Sequence, residues 1–498
     1  MAAPWPVSGL LILGGAGALP GVVRGLVLGL GLTFIAIVAG LPAPAVEAAA
    51  LAAGSPAEPG ISANSVRYTV TVPADPTDPV EVRLQIPTPP AVVELQFPDP
   101  SGGGGRLQAI RANRDDGEAL PVERVAAGGF RLPTLGARHV TVTYSLNLSP
   151  SLWNPATWPG QELASVRSDG MVWLVGRDAL LQVAGPAAPP AELVLQLPAG
   201  WRAFLAGAGL LETDRPLAIA PGQEPVLLLG PMRFSRYPVP GGQLTVIVSP
   251  EPPWEPGQLA WSVQAVLEGL AARGVTGPPA DLTLAVLRYP AALRLNPLVG
   301  SQRAPGPTIV HWVGTGSLNW WRKHAARDVV DWYVEHTLRL APDARWLQPA
   351  LAEYAALALL FDTGFLTVDD MYQSLRALHS NGLHYSGPAW PSLVSAGLEA
   401  PPSHASQRVL AFRAPLVALL MDMELWDASG STLFDLWARL IAAQQEGPAA
   451  TFHTAAVLAP LADMGVGSAF AQAHIYGNRM PPADFDGLFQ RWFDQHAR

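Results

Sequence analysis

The stretch from Arg327 to Tyr354 reads RDVVDWYVEHTLRLAPDARWLQPALAEY. Apolar residues recur at three- and four-residue spacing in both of its halves, and this spacing lines one face of an α-helix. The stretch therefore predicts two consecutive amphipathic helices, at His324–Leu340 and Leu347–Leu360.

Helical periodicity extends from Pro256 to the end of the chain. Further apolar stripes predict helices at Val368–Leu378, Val409–Leu425 and Leu433–Gln444, as well as one just after Pro256. Two short apolar runs among them predict strands, at Leu282–Leu287 and Thr308–Val313. The second half of the chain is therefore predicted to be mainly helical, with a small sheet at its start.

The preceding part has a different period. Apolar and polar residues alternate there between Pro/Gly/Asp turns, as in half-buried strands of an antiparallel sheet. The predicted strands are Val66–Val72, Val80–Ile86, Val93–Phe97, Val140–Leu146, Leu193–Leu197 and Leu244–Val248. The pattern predicts an α+β protein, in which an N-terminal antiparallel β domain precedes the helical part.

The length of 498 residues indicates two or three domains. In the N-terminal segment, Arg24 precedes an apolar run at Leu26–Val38, and small residues follow, as in a secretory signal peptide. An uncleaved membrane anchor is the alternative. The predicted division is 1–50 signal peptide or N-terminal anchor, 51–60 linker, 61–250 β-rich domain, 251–390 peptidase-type domain and 391–498 helical C-terminal part.

Composition narrows the function. A formal net charge of −9 with no basic stripe excludes a nucleic-acid binder. The chain contains no cysteine, so disulfides, thiolate nucleophiles and cysteine zinc sites are absent. The predicted signal peptide or anchor indicates an extracytoplasmic protein, periplasmic or secreted. Contact with a membrane is predicted through this N-terminal segment alone.

The two central helices resemble the core of the gluzincin aminopeptidases. In that family one helix carries His-Glu-x-x-His, and the next carries Trp-Leu-Asn-Glu-Gly-Phe-Ala-Glu-Tyr. The second helix here reads WLQPALAEY from Trp346 to Tyr354. Further stretches resemble the glycyl aminopeptidases in particular, namely Asp116–Pro121, Thr141–Tyr144, Leu197–Trp201, Val409–Ser431 and Phe470–Pro482. The resemblance implies a thermolysin-like helical domain after the β domain, and a catalytic zinc.

The zinc ligands of that family are missing from this chain. A catalytic zinc needs three protein ligands and an open position for water. Arg327 stands in the place of the first histidine, Asp328 in that of the glutamate, Asp331 in that of the second histidine and Pro349 in that of the third ligand. Arginine is always cationic and proline has no donor atom for a metal. We therefore predict no zinc, although the family uses it.

Other family features are also altered. The tyrosine of the family's Tyr-x-Lys-Gly motif, which steadies the oxyanion, falls on Ala411. The acidic stretch that binds a substrate's amino terminus falls on Gln302–Pro307, which has no carboxylate. Both changes point to a degenerate catalytic site.

Several other side chains near this region are candidates for binding. Trp332, Trp346, Glu353 and Tyr354 could line an aromatic cleft for a peptide or protein, but tryptophans are more often core residues. Glu353 matches a family glutamate that is not a zinc ligand. The acidic residues of the first helix are interpreted as a solvated or ion-paired face, and the four nearby histidines as structural or exposed, with His379 and His384 in a loop.

The leading hypothesis is a non-catalytic, exported relative of the glycyl aminopeptidases with a binding or scaffold role. The alternative is a metal-dependent aminopeptidase that acts on peptide N-termini with unorthodox ligands, drawn from Asp331, Glu353 and nearby histidines. A different hydrolytic chemistry has no motif in its favour, since no serine occupies a Gly-x-Ser-x-Gly elbow.

Overall fold

The computed structural model describes residues 65–98, 106–125, 129–149, 165–168, 170–184, 190–213, 215–220, 222–250, 255–277, 281–288, 300–313, 317–447 and 449–496. All of them belong to one compact unit, Ile61–Arg498. The predicted signal peptide or anchor (1–50) and linker (51–60) lie outside the described residues. Among the helices that are described, none is long and apolar enough to cross a bilayer.

The strands occupy mostly the first half of the chain. In order they are β1 (Val66–Thr71), β2 (Val80–Pro87), β3 (Val92–Gln96), β4 (Leu107–Arg114), β5 (Ala119–Leu120), β6 (Glu123–Arg124), β7 (Phe130–Pro133), β8 (His139–Leu146), β9 (Val166–Ser168), β10 (Met171–Val175), β11 (Gln182–Val183), β12 (Ala191–Gln196), β13 (Arg202–Leu205), β14 (Gly209–Leu211), β15 (Leu217–Ile219), β16 (Val226–Gly230), β17 (Arg233–Val239), β18 (Gly242–Val248), β19 (Leu282–Arg288), β20 (Gly300–Ala304) and β21 (Thr308–Val313).

Three sheets make up the β-rich part. Their strand orders are β15-β12-β1-β2-β8-β4-β5, β14-β13-β16-β10-β9 and β11-β3-β7-β6. Side chains are buried at alternate positions of β1 and β2, because successive residues of a strand point to opposite faces. Most neighbours are antiparallel, as predicted, but β1 and β12 are parallel. Alternation of apolar residues does not distinguish the two pairings.

A fourth sheet, in the order β17-β18-β19-β21-β20, opens the helical part. Its three central strands β18, β19 and β21 are parallel. The predicted strand Leu244–Val248, grouped by sequence with the β-rich residues 61–250, therefore belongs to this sheet as β18. A parallel pair needs a crossover connection, and the helix after Pro256 lies in the one that joins β18 to β19.

Most of the described helices lie after Pro256. In chain order the helices are α1 (Gly176–Ala179), α2 (Pro256–Ala272), α3 (Leu318–Thr337), α4 (Leu347–Asp362), α5 (Val368–His384), α6 (Leu393–Leu398), α7 (His404–Arg408), α8 (Ala414–Ser429), α9 (Leu433–Glu446), α10 (Thr454–Asp463), α11 (Ser468–His474) and α12 (Phe485–His496), with a 3₁₀ turn at Pro342–Ala344 and a π-helical turn at Val409–Arg413.

The fold class predicted from sequence is confirmed, with differences in detail. Helix α3 begins at Leu318 rather than at His324, because the Ser317 side chain accepts a hydrogen bond from the Trp320 N–H and caps it. The predicted helix Val409–Leu425 contains the π-helical turn before α8. The loop predicted around His379 and His384 is wrong, since both residues lie on α5.

Helix α3 lies between two apolar cores. Trp321 and Val329 pack with the side chains of the fourth sheet. Ala326 and Val330 pack with the helical core, to which most of α4 also belongs. Burial on two sides fixes the rotation of α3, and with it the direction of its polar edge.

Candidate functional site

The polar edge of α3 carries His324, Arg327, Asp328 and Asp331. Their spacing of three and four residues places them along one side of the helix. All four are partly covered by neighbouring residues. This edge is the region in which the sequence predicted a degenerate metal site.

Arg327 is held by Glu353 of helix α4. The distance between Arg327 Nε and Glu353 Oε2 is 3.2 Å, and the two side chains are 42% and 37% exposed. Burial raises the pKa of Glu353 above its ordinary value, and the charge of Arg327 opposes the shift. Burial lowers the pKa of Arg327, but nearby carboxylates, first that of Glu353, outweigh it and leave that pKa raised. Arg327, the residue predicted to replace the family's first histidine, is therefore a fixed cation.

The other two residues of the predicted ligand set, Asp331 and Pro349, lie one helical turn away on each helix. Asp331 follows Arg327 by four residues on α3, and Pro349 precedes Glu353 by four on α4. Asp331 and Pro349 are therefore nearer than Arg327 and Glu353 to the segment that connects α3 and α4. Asp331 also acts electrostatically on Arg327. Pro349 is partly buried in the first turn of α4, where proline is tolerated because the first N–H groups of a helix have no partner within it.

Asp328 is turned toward the fourth sheet. Its Oδ2 lies 3.3 Å from Nε2 of His311, a fully buried residue of β21. Burial, and then the charge of Arg327, lower the pKa of His311 to about 3, so the ring is neutral at physiological pH. His311 was not among the residues predicted for the site, although it is a titratable residue in the middle of the apolar run Thr308–Val313.

The two histidines of α3 lie apart, as their spacing required. The His324 ring contacts Trp320 at a centroid distance of 4.2 Å, and burial lowers its pKa to about 4. His336 is exposed, and its Nδ1 lies 2.8 Å from the carbonyl oxygen of Trp332. On α5, His379 is buried with its Nε2 2.7 Å from the Pro482 carbonyl oxygen. The last two contacts tie side chains to the backbone.

The residues predicted to occupy the family's ligand positions do not fit a zinc ion. A guanidinium offers only N–H donors, and proline offers no side-chain donor atom to a metal. Across the described ranges, no three His, Asp or Glu side chains are grouped closely enough to hold a metal. The arrangement supplies an ion-paired cation and two neutral imidazoles.

The aromatic residues proposed for a cleft are core residues instead. Trp332 is 4% exposed, and Trp346 and Tyr354 are 0% exposed. The Trp346 indole donates to the Thr454 hydroxyl, so its polar end is also inside. The rings are buried because they fill the space between α3, α4 and their neighbours. Of the four candidates only Glu353 reaches the surface.

Ala411, the residue predicted at the family's oxyanion-tyrosine position, has no polar side-chain group. Ala411 is exposed within the π-helical turn. Arg413, in the lysine place, is fully buried and donates to the carbonyl oxygens of His474 and Gly477 at 2.9 Å each. Arg413 therefore caps the end of α11. The altered stretch Gln302–Pro307 forms the end of β20 and the turn into β21.

Comparisons with known proteins agree with this fold. Residues 67–208 match the sequence profile of the Peptidase M61 N-terminal domain. No curated protein matches the chain. A crystal structure of an aminopeptidase N family protein from Idiomarina loihiensis matches with a TM-score of 0.60 at 14% identity, over 85% of this chain and 78% of that one. An M1 zinc metallopeptidase from Deinococcus radiodurans matches with a TM-score of 0.44 at 17% identity, over 84% and 95%.

The coarser part of the predicted relationship is therefore confirmed. Residues 67–208 are similar in sequence to the Peptidase M61 N-terminal domain, and 85% of the chain shares the fold of an aminopeptidase N family protein.

Proposed function

We propose that this chain is an exported, non-catalytic relative of the glycyl aminopeptidases, with a degenerate metal site and a binding or scaffold role. The similarity to the Peptidase M61 N-terminal domain and the aminopeptidase-type fold support the relationship. The observation that carries the loss of catalysis is the ion pair between Arg327 and Glu353. It fills the first-ligand position with a cation.

The charge of Arg327 would repel a metal ion at this place. A divalent metal at the ligand positions would lie within a few ångströms of the Arg327 guanidinium, and like charges at that range repel strongly. Arginine cannot relieve the repulsion by losing its proton, as a lysine could. Without a metal there is no polarised water for peptide hydrolysis.

The first experiment measures metal and activity in one sample. The purified mature protein is dialysed, its zinc content is determined by elemental analysis, and hydrolysis of amino-terminal aminoacyl substrates is followed in parallel. We expect neither metal nor turnover. Stoichiometric zinc, with turnover abolished by a chelator, would overturn the proposal in favour of the aminopeptidase with unorthodox ligands from Asp331, Glu353 and nearby histidines.

A gain-of-ligand variant tests the positions themselves. The triple substitution Arg327→His, Asp331→His and Pro349→Glu rebuilds the ligand set of a gluzincin on α3 and α4. We expect it to bind about one zinc per chain, because these positions supply the three ligands of a catalytic site. The double variant Arg327→His, Asp331→His, which lacks the third ligand, is the matched control and is expected to bind zinc more weakly. A folded triple variant that binds no zinc would show that these positions are not ligand positions.

The export proposal rests on the apolar run Leu26–Val38 after Arg24 and the small residues that follow. Amino-terminal sequencing of protein recovered from the extracytoplasmic fraction tests it. We expect a new amino terminus after the small residues near position 50. Full-length protein in the membrane fraction would favour the uncleaved anchor, and full-length protein in the cytoplasm would contradict export.

A further inference from the structure

A separate cavity of about 440 Å³ lies between helices α2, α4, α9 and α12. Asp362 on its wall is nine residues along α4 from Glu353, or about 14 Å along the helix axis, so the cavity is distinct from the α3–α4 site. Pockets of about 300–1,000 Å³ are the usual size for small-molecule ligands. Both charged and aromatic side chains line this one.

Two of the charged side chains on the wall, Arg273 and Asp362, form an ion pair. Arg273 Nη2 lies 2.5 Å from Asp362 Oδ2, with the side chains 32% and 20% exposed. Arg273 also donates to the Gly269 carbonyl oxygen, which leaves most of its five N–H groups without a protein acceptor. A net anion or a net cation would be attracted by one member of such a pair and repelled by the other. A zwitterion can be attracted by both.

Gln495, another residue of the wall, carries an acceptor that has no donor. Its side-chain nitrogen donates to Asp427 Oδ1 at 3.3 Å, but its Oε1 is buried and has no hydrogen-bond partner among the described residues. A buried acceptor without a partner costs about 1–3 kcal/mol. Oε1 itself is not exposed to the cavity, so the amide must rotate before a ligand ammonium, with its three N–H donors, can reach it and recover part of that cost.

Aromatic rings form another part of the wall. Trp426 and Phe434 line the cavity, and the guanidinium of Arg273 lies 4.9 Å from the centre of the Phe434 ring. His496 adds no free donor, because its Nδ1 lies 2.9 Å from the Trp492 carbonyl oxygen and its Nε2 is directed at Asp422. An apolar ligand group would therefore contact the rings rather than the imidazole nitrogens.

We propose that this cavity binds a free α-amino acid with an apolar side chain. The ligand carboxylate pairs with Arg273, and its ammonium pairs with Asp362 and donates to Gln495 Oε1. The ligand side chain packs on Trp426 and Phe434. The cavity is thus a binding site for a small zwitterion. This proposal does not depend on whether the protein has zinc ligands.

Isothermal titration of the purified full chain with L-phenylalanine tests the proposal. We expect saturable binding of one molecule per chain. The analogues 3-phenylpropionate and 2-phenylethylamine keep the ring but carry only one of the two charges, so we expect each to bind at least about tenfold more weakly, which corresponds to about 1.4 kcal/mol. A single-charge analogue that binds as tightly as L-phenylalanine would overturn the argument from the ion pair.

Variants of α12 then locate the site. Gln495→Leu removes the unpaired acceptor and is expected to weaken L-phenylalanine binding about tenfold. Gln490→Leu makes the same change at an exposed position of the same helix and is expected to leave the affinity unchanged. Equal affinity of the two variants, or no saturable binding by the unaltered protein, would refute the site. If Gln495→Leu fails to fold, the analogue comparison on the unaltered protein still decides.

Discussion

Asp422 lies at the centre of a buried hydrogen-bond network in the helical core. It is 3% exposed and accepts hydrogen bonds from the Tyr354 hydroxyl and from the Leu433 N–H, the latter at 2.6 Å. Its Oδ2 is 3.5 Å from His496 Nε2. The Trp492 indole donates to the same tyrosine hydroxyl at 2.9 Å. The network therefore fastens the C-terminal helix α12 onto α4 and α8.

Asp422→Ala is expected to destabilise the protein strongly. It leaves two buried donors without an acceptor, at about 1–3 kcal/mol each, and removes the partner of a largely buried histidine. Breaking a buried charge pair from one side costs about 3–5 kcal/mol in total. We expect the free energy of unfolding to fall by about 4 kcal/mol. Asp422→Asn keeps one carbonyl oxygen as an acceptor, so we expect a loss of about half that size.

The loss of stability caused by substituting Asp422 should also depend on pH, because Asp422 interacts with His496. Burial lowers the pKa of this histidine, but the hydrogen bond and charge of Asp422 outweigh it and raise the pKa above 6.5. The folded state therefore binds the proton more tightly than the unfolded chain does. The stabilisation from this proton is fully present below pH 6.5 and is lost as the pH rises through the raised value. The difference between wild type and Asp422→Asn should accordingly be larger at pH 6 than at pH 9.

Urea unfolding followed by circular dichroism, at pH 6 and pH 9, measures both effects. Glu424→Ala, an acidic residue on the exposed side of the same helix, is the control and is expected to change stability by less than about 0.5 kcal/mol. If Asp422→Ala lowers the free energy of unfolding by less than about 1 kcal/mol, the claim that its buried donors are left without an acceptor is wrong. A difference between wild type and Asp422→Asn that grows with pH would refute the assignment of the histidine charge.

Two further predictions concern the polar edge of α3. In a water-like dielectric, unit charges 3.2 Å apart attract by about 1.3 kcal/mol, and side-chain ordering reduces this. A double-mutant cycle of Arg327→Met and Glu353→Gln should therefore give a coupling of about 0.5–1 kcal/mol that shrinks with added salt. His311→Phe should make the stability of the protein less sensitive to acid. The pKa of His311 in the folded protein, about 3, lies below the ordinary value of 6.5. The free energy of unfolding of the wild type therefore falls by up to about 1.4 kcal/mol per pH unit as the pH falls from 6.5 toward 4. The variant should lose less over that range.

Each of these two predictions has a clear contrary result. A coupling above about 3 kcal/mol that is insensitive to salt would mean that the Arg327–Glu353 pair behaves as a fully buried ion pair. Equal acid sensitivity of wild type and His311→Phe would mean that the histidine is protonated in the folded protein. His336→Phe, at an exposed position of α3, is the matched control for the second experiment.

Much of the secondary structure could be predicted because it depends on local periodicity. The strands β2 and β21 and the helices α4 and α9 begin at the predicted residues. The ends of elements were harder to predict. Helix α3 starts six residues before its prediction because a serine cap, rather than the apolar stripe, decides its first turn. The parallel pairing of β1 with β12 and the assignment of β18 to the fourth sheet depend on partners distant in the sequence.

The candidate site divides in the same way. The sequence by itself determined the chemistry of the side chains: the Arg327 guanidinium and Pro349 cannot ligate zinc in any fold, because that follows from the atoms they carry. Their assignment to the family's ligand positions is a prediction from the sequence. Only the tertiary structure decided which groups meet. Glu353 reaches Arg327, and Asp328 reaches His311, because helix α3 is fixed in rotation between a sheet and a helical core. The same packing buries Trp346, since long-range contacts, and not residue type, decide which aromatic rings are inside.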